Sequence, residues 1–206
     1  MSMTEASENG TAMVIVAGLA GSGKTETGKL LASVTGWALL DKDSLTRSLT
    51  ERLLLRLNGD PHDRHTPLYV DVVRPLEYDC LLKTAWENVV CGVSVILSAP
   101  FIREVNDDGW LRGVRQRCRR SGSRLHVVWV ASDPPSMRIR LTSRGADRDV
   151  WKLANWDAYL QTVDAEMLPG CDHIVIDNCI EAELPLVDQV QVIAHRLRSG
   201  SELCVD

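Results

Sequence analysis

The sequence predicts an α/β fold of three layers, with helices on both faces of a five-stranded parallel sheet. The length of 206 residues and the composition, 45% hydrophobic and 25% charged, suit one globular domain. Short apolar runs, of the kind that buried parallel strands have, alternate with longer stretches of helical periodicity. Strands that alternate with helices build a parallel sheet wrapped on both sides. No internal repeat or long linker indicates a second domain.

The individual elements follow from these apolar patterns. The strands are predicted at 13–17, 37–40, 93–97, 125–130 and 173–176. The helices are predicted at 26–33, 44–57, 71–90, 106–120, 134–144, 151–167 and 181–197. Within 44–57, a helical stripe of apolar residues consists of Leu45, Leu49, Leu53 and Leu57. The polar and acidic segment 1–12 is predicted to be a disordered tail, and 13–200 a single domain.

A glycine-rich segment between the first strand and the first helix matches the full phosphate-binding loop pattern: Gly, four residues, then Gly-Lys-Ser/Thr. Its glycines let the backbone turn tightly and let amide N–H groups converge on one anion, beside the positive end of the following helix. The lysine is placed to reach the outer phosphates, and the threonine hydroxyl to hold Mg²⁺. We therefore predict that a nucleoside triphosphate is bound by Gly18, Ala20, Gly21, Ser22, Gly23, Lys24 and Thr25.

Two further features separate the classes of enzyme that share this loop. There is no Asn-Lys-x-Asp segment of the kind that reads guanine in GTPases, and no carboxylate ends the strand 93–97, as a motor ATPase would require. Carboxylates do follow the second strand, at Asp41 and Asp43. Arginines recur late in the chain at 138, 140, 144 and 148, where guanidinium groups on a closing flap could neutralise a moving phosphoryl group. This combination favours a compact kinase, with a solvated basic helix end as the alternative for the arginines.

Together, the loop, the Asp-Lys-Asp segment and the arginine-rich segment resemble the small P-loop kinase superfamily. It includes gluconate kinase, chloramphenicol phosphotransferase, zeta-toxin-type sugar-nucleotide kinases and the kinase domain of polynucleotide kinase. The resemblance covers residues 13 to about 180. It implies a P-loop NTPase fold with a lid at about 142–152, a substrate-binding helical region at about 44–90, and ATP and Mg²⁺ as cofactors. The implied acceptor is a hydroxyl group of a small molecule such as a sugar, a nucleoside or an antibiotic-like metabolite.

The resemblance also implies roles for individual residues. Asp43, with Asp41 as the second choice, matches the carboxylate that accepts the proton of the attacking hydroxyl; the alternative for Asp43 is a helix cap. Ser98 stands where many relatives end the third strand with an aspartate that organises magnesium. Thr25 is therefore the predicted metal contact, together with the phosphates and waters, and Asp41 or Asp43 is a further candidate. Catalysis is assigned to Lys24, Asp43, Arg144 and Arg148, nucleotide contacts outside the loop to Arg140 and Arg144, and substrate contacts to Asp41, Asp43, Arg47 and Arg103.

Other functions and other residues remain open at this point. A polynucleotide 5′-hydroxyl is a second acceptor hypothesis, although the net charge of −5 and the arginines of 112–120, expected on a solvated face, make nucleic acid an unlikely partner. A nucleotide-binding regulator without turnover is the third. Arg74, Glu77 and Tyr78 are expected on an ordinary exposed helix face, and Trp156 and Tyr159 in the core rather than against a substrate ring.

The location and partners of the protein are also inferred from composition. The six cysteines form no close pair, no apolar run is long enough for a membrane span, and the first residues do not resemble a signal peptide. We therefore expect a cytoplasmic protein without a membrane partner. The sequence leaves the oligomeric state open.

Overall fold

A five-stranded, wholly parallel sheet forms the centre of the protein. The computed structural model describes residues 10–199, so most of the predicted tail lies outside the described residues. The strands are β1 Thr11–Ala17, β2 Ala38–Asp41, β3 Val95–Ser98, β4 Ser123–Ala131 and β5 Ile174–Asp177, in the spatial order β2-β3-β1-β4-β5. The predicted fold class is therefore confirmed, and the first strand begins two residues before its predicted start.

Eight α-helices connect and cover the strands in the described part of the chain. They are α1 Lys24–Thr35, α2 Lys42–Leu57, α3 Arg74–Val90, α4 Asp108–Arg120, α5 Pro134–Arg144, α6 Val150–Ala154, α7 Trp156–Thr162 and α8 Leu186–Ser199. Short 3₁₀ turns lie at Glu104–Asn106 and Asp147–Asp149, and a π-helical turn, Leu68–Val73, runs directly into α3. None of the helices within residues 10–199 combines the length and apolarity needed to cross a membrane.

The two faces of the sheet bury alternate residues of β1, as the period of two in a strand requires. Met13 and Ile15 face a core that α3 and α4 cover, whereas Val14 and Val16 face α1 and α8. These strand residues are almost completely buried, which explains the continuous apolar runs in the sequence. The helices on both faces leave the carboxyl ends of the strands open, and ligands of such sheets bind at that edge.

The leucine stripe of α2 predicts the helix correctly but does not form its buried face. Leu49 is 74% exposed, and Leu45, Leu53 and Leu57 are also exposed. The side that packs on α3 consists instead of Lys42, Thr46, Thr50 and Leu54. The reason is that α3 presents the buried carboxylate of Glu77 to α2, and only polar groups can satisfy it.

The segment predicted as one helix over 151–167 is divided. Helix α6 ends at Ala154, and α7 follows from Trp156 to Thr162. Trp156 and Tyr159 are buried against Met137 and Leu141 of α5, which confirms their predicted place in the core. Helix α7 makes this apolar contact with α5, while the separate helix α6 lies beside the Asp147–Asp149 turn.

Candidate active site

The loop between β1 and α1 has the backbone conformation that its glycines allow. Gly21 and Gly23 have φ angles of 82° and 97°, in the left-handed region that side chains disfavour. A Cβ atom at Gly23 would lie 2.1 Å from the Nδ2 atom of Asn178, which itself donates a hydrogen bond of 2.7 Å to the Ser22 carbonyl. The loop is therefore held against the end of β5 and could not accept larger residues at these positions.

The loop presents hydrogen-bond donors that have no protein acceptor. Among residues 10–199, the amides of Gly21, Gly23 and Lys24 find no acceptor, and the hydroxyl of Ser22 is buried without a hydrogen bond. Several unpaired donors at a helix N-terminus fit an anion that has many acceptor oxygens. The donor set therefore fits the phosphate groups of a nucleotide.

Lys24 lies in the middle of these donors. Its Nζ atom donates a hydrogen bond of 2.6 Å to the Leu19 carbonyl, inside its own loop. Burial, followed by the nearby charge of Arg144, lowers the pKa of Lys24 to about 8, although Asp43 and Asp41 oppose the shift. The side chain is thus a desolvated ammonium group that an incoming polyanion would stabilise.

Asp41, at the end of β2, contacts the loop directly. Its Oδ2 atom accepts a hydrogen bond of 3.2 Å from the Thr25 hydroxyl, and its Oδ1 atom accepts one of 3.0 Å from the Ser44 amide. The pairing of β2 with β3 places Asp41 beside Ser98 in register. The carboxylate that is missing from the end of β3 is therefore supplied by the neighbouring strand.

These contacts identify the residues that would hold Mg²⁺. Within the described residues there is no cluster of three or more His, Cys, Asp or Glu side chains arranged to hold a metal ion. Thr25 and Asp41, which contact each other, would hold the ion through a hydroxyl and a carboxylate. Mg²⁺ readily retains several waters and binds through one or two carboxylates together with substrate phosphates, so this small donor set fits a nucleotide-bound ion.

Asp43 is surrounded by cations. Its Oδ1 atom lies 3.1 Å from Lys42 Nζ, and its Oδ2 atom lies 2.9 Å from Arg148 and 3.7 Å from Arg47. Burial alone would raise the pKa of Asp43, but the charges of Lys42, Arg148 and Arg47 hold it at about 2. The carboxylate is therefore ionised at neutral pH. The alternative role of Asp43 as a helix cap is wrong, because Asp41 caps α2 and the helix begins at Lys42.

The predicted lid lies close to this carboxylate. Helix α5 ends at Arg144, and the Asp147–Asp149 turn places Arg148 next to Asp43. Arg144 pairs with the buried carboxylate of Asp149, which Lys152 also approaches at 3.4 Å. The arginine-rich segment and the second-strand carboxylates thus meet, as the sequence predicts.

Two contacts join the lid to the segment that precedes α3. His62 lies 3.8 Å from Asp147, and the rings of His65 and Trp151 stack with their centroids 5.0 Å apart. The segment 62–66 therefore packs against the lid. The polar composition of this segment is typical of a surface loop and does not indicate a contact with the lid.

Arg140 lies behind the loop. Its guanidinium group donates hydrogen bonds to the Ser132 hydroxyl, at 2.9 Å, and to the carbonyls of Asn178 and Gly21. It therefore ties the ends of β4 and β5 to the phosphate loop. Its contact with a nucleotide stays a prediction.

The remaining predicted substrate residues are not equally well placed. Arg47 is half-exposed next to Asp43, whereas Arg103 is exposed and its neighbour Glu104 makes the ion pair of this region instead, 2.8 Å from Arg74. Arg74 also covers the ring of Tyr78, with 4.1 Å between its Cζ atom and the ring centroid. The expectation that Arg74, Glu77 and Tyr78 form an ordinary exposed face is wrong, because all three make buried or half-buried polar contacts.

Sequence reasoning missed two residues of this region. Lys42 and Glu77 are 5% and 3% exposed and form an ion pair of 2.9 Å directly beneath Asp43. The available signal was the polar spacing of Lys42, Thr46 and Thr50, which repeats every four residues on the same side of α2. Interpreted as a buried face, this spacing would have predicted a charged partner on a neighbouring helix.

Comparisons with known proteins agree with this geometry. The family model AAA_33, an AAA domain, matches residues 13–165. Shikimate kinase from Moorella thermoacetica is 29% identical over 102 residues, which make up 48% of this chain and 57% of that protein. The chain thus aligns with little more than half of that relative's length.

Solved structures extend the similarity to nearly the whole chain. A protein from Chloroflexus aurantiacus with a provisional kinase name is 18% identical, with a TM-score of 0.65, over 94% of this chain and 100% of that one. A gluconokinase from Sinorhizobium meliloti (18% identity, 93% and 95% covered, TM-score 0.55) and an APS kinase from Mycobacterium tuberculosis (17%, 92% and 98%, 0.57) are also similar. At these identities the similarity shows the fold that the chain shares with these proteins.

Proposed function

The chain belongs to the AAA_33 family of AAA domains, and we propose that it is a kinase that moves the γ-phosphoryl group of ATP onto a hydroxyl group of a small molecule. One observation carries this proposal: an ionised carboxylate, Asp43, and a lid arginine, Arg148, meet 2.9 Å apart beside the phosphate loop. A phosphate-binding loop alone would fit any class of enzyme that uses nucleoside triphosphates. A carboxylate under a closing guanidinium group suits transfer to a protonated oxygen.

Each side chain of the site would have a separate role in such a transfer. Lys24 would exchange the Leu19 carbonyl for the outer phosphates, and Thr25 and Asp41 would hold Mg²⁺. Bound ATP and Mg²⁺ would supply the transferable phosphoryl group and offset its charge. Arg148 would turn from Asp43 towards the phosphoryl oxygens, which raises the pKa of the carboxylate because one cation leaves it. Asp43 could then accept the hydroxyl proton while the oxygen attacks.

The names of similar proteins suggest which acceptors to test first. Relatives and structural neighbours are named as kinases of shikimate, gluconate, sugars and APS. We propose that the acceptor here is likewise a small hydroxyl compound. The protein would lie in the cytoplasm and act without a nucleic acid or membrane partner.

Acceptor-dependent release of ADP tests the proposal. The protein is incubated with Mg²⁺ and ATP against gluconate, shikimate, APS, simple sugars and nucleosides, and phosphorylated products are identified by mass spectrometry. We expect Asp43→Asn to lower kcat by about 10²- to 10⁴-fold, the usual contribution of a general base. Asp79→Asn is the matched control, because Asp79 is an exposed carboxylate that pairs only with Lys83 on its own helix.

Two results would contradict the proposal. Unchanged turnover in Asp43→Asn would remove Asp43 as the base. Tight ATP binding without any phosphorylated product would favour the nucleotide-binding regulator. Product formed on short single-stranded 5′-hydroxyl oligonucleotides, with binding that falls steeply as salt increases, would instead favour the polynucleotide acceptor.

A further inference from the structure

A buried polar cluster lies between α2 and α3, directly beneath the proposed base. At its centre, the Glu77 carboxylate accepts four hydrogen bonds. The donors are Lys42 Nζ at 2.9 Å, Tyr69 Oη at 2.8 Å, Thr46 Oγ1 at 3.0 Å and Thr50 Oγ1 at 3.0 Å. The two charged residues are almost completely buried. Both oxygens of the Glu77 carboxylate therefore accept two hydrogen bonds each.

Fold stability does not account for such a cluster. The desolvation of a buried ion pair cancels much of its attraction, and apolar residues of similar volume often serve as well or better. An apolar face on α2 is available in this sequence, yet the leucine stripe Leu45, Leu49, Leu53 and Leu57 lies on the exposed side. The polar cluster thus occupies the interface that leucines could have filled.

Lys42 has a second contact that leads out of the cluster. Its Nζ atom lies 2.9 Å from Glu77 and 3.1 Å from Asp43 Oδ1, so one ammonium group bridges a buried carboxylate and a half-exposed one. The two oxygens of Asp43 are thereby distinguished. Oδ1 faces the fixed lysine from α2, and Oδ2 faces Arg148 of the lid.

We infer that Lys42, anchored by Glu77, is a positioning residue that holds Asp43 Oδ1 so that Oδ2 is presented to the acceptor hydroxyl. This inference rests on the proposed function. As the acceptor oxygen bonds to the γ-phosphorus and the bond from that phosphorus to the ADP oxygen breaks, the hydroxyl proton passes to Oδ2. Oδ1 keeps its contact with Lys42 Nζ during this transfer, because the ion pair with Glu77 fixes the position of the ammonium group.

The other charged groups around Asp43 determine how the carboxylate should respond when the Lys42 side chain is removed. Asp43 faces Lys42 and Arg47 on α2, Arg148 on the 3₁₀ turn, Lys24 on α1 and, more distantly, Tyr69 on the π-helical turn. After burial, the Lys42 charge has the largest influence on Asp43. Removing it should leave Oδ1 without its fixed contact, and the remaining cations, Arg148 and Arg47, should then draw the carboxylate away from its wild-type position.

Lys42→Met and Glu77→Gln, alone and together, test the inference, with Lys83→Met as the matched control on an exposed ion pair. With an acceptor that the wild type phosphorylates, we expect Lys42→Met to lower kcat roughly 10- to 100-fold, as the loss of a supporting contact does, without raising KM for ATP. Glu77→Gln should act in the same direction. The double variant should be no worse than Lys42→Met, because Glu77 acts through Lys42.

A crystal structure of Lys42→Met makes the test independent of the acceptor. We expect the Asp43 carboxylate to move by more than about 0.5 Å, the tolerance of a preorganised site. If the wild type phosphorylates nothing, the proposed function fails, and this displacement alone decides the positioning role. If Lys42→Met does not fold, the same measurement on Glu77→Gln decides it. A folded variant with wild-type kcat and with the Asp43 carboxylate in place would overturn the inference.

Discussion

The phosphate loop and the acceptor side of the site differ in what they are made of. The loop binds mainly through its backbone amides and the φ angles of its glycines, and Ser22, Lys24 and Thr25 contribute side chains. The acceptor side is made of side chains from α2, α3 and the lid, linked by ion pairs at 2.9 to 3.7 Å around Asp43. The phosphate loop is thus fixed by backbone conformation, whereas the acceptor side is fixed by a network of charged side chains.

The two halves should therefore fail differently when they are changed. In the loop, a variant should lose nucleotide binding, and in the network it should lose turnover while ATP still binds. In the loop, the desolvated charge of Lys24 also makes the free protein less stable than an apolar side chain at that position would. The predictions below use these differences.

The largest effect is expected at Lys24. Lys24→Met should lower turnover about 10²- to 10³-fold and weaken ATP binding, because one preorganised cation at the phosphates is lost. The same variant should be more stable without nucleotide, since it removes an ammonium group whose pKa burial lowers to about 8. Isothermal titration measures the affinity, and thermal unfolding measures Tm.

The size of this stability gain depends on pH. Below pH 8 the lysine is charged in both folded and unfolded protein, so Lys24→Met recovers the full cost of burying that charge. Above the ordinary lysine value of 10.5 the gain should vanish. A Tm that falls in Lys24→Met at pH 7 would show that the loop is not a strained, preorganised anion site.

A smaller effect is expected at Asp41, where the two halves meet. Asp41→Asn should raise the Mg²⁺ concentration needed for half-maximal turnover roughly 10-fold or more, since a carboxylate ligand becomes an amide. The asparagine keeps the cap of α2, so Tm should hardly change. Turnover measured against Mg²⁺ checks this, and an unchanged Mg²⁺ requirement would place the metal elsewhere.

The smallest effect is expected on the exposed side of α2. Leu49→Ala should change the free energy of unfolding by no more than about 0.5 kcal/mol, as surface changes do. Leu54→Ala, on the buried side of the same helix, should cost about 2 to 5 kcal/mol. Urea unfolding of the two variants compares the faces directly; a large loss in Leu49→Ala would mean that the leucine stripe is covered.

The sequence predicts the sheet and the loop well because their signals are local. Buried parallel strands are continuous apolar runs, and the loop motif is contiguous, so Met13–Thr25 contains both. The meeting of Asp43 with Arg148 was expected only through the family resemblance. It depends on how the turn after α5 folds back, and no local pattern encodes that distance.

The buried side of α2 could not be predicted for a different reason. A stripe of leucines is the ordinary sign of a core face, and it prevails over a stripe of lysine and threonines unless the partner is known. That partner, Glu77, lies 27 residues beyond Thr50, on another helix. The orientation of α2 is decided by the pairing of polar and charged groups on distant segments. The periodicity of one helix gives no information about that pairing.

A crystal structure with Mg²⁺ and a non-hydrolysable ATP analogue tests the central claim most directly. The account predicts that Lys24 Nζ leaves the Leu19 carbonyl for the phosphates and that Arg148 turns from Asp43 to the γ-phosphate. Asp43 Oδ2 should then lie about 5 to 6 Å from the γ-phosphorus, which leaves room for one hydroxyl oxygen between them. A γ-phosphate seated in the loop with Asp43 more than about 10 Å away would contradict the account, because no single oxygen could span that gap.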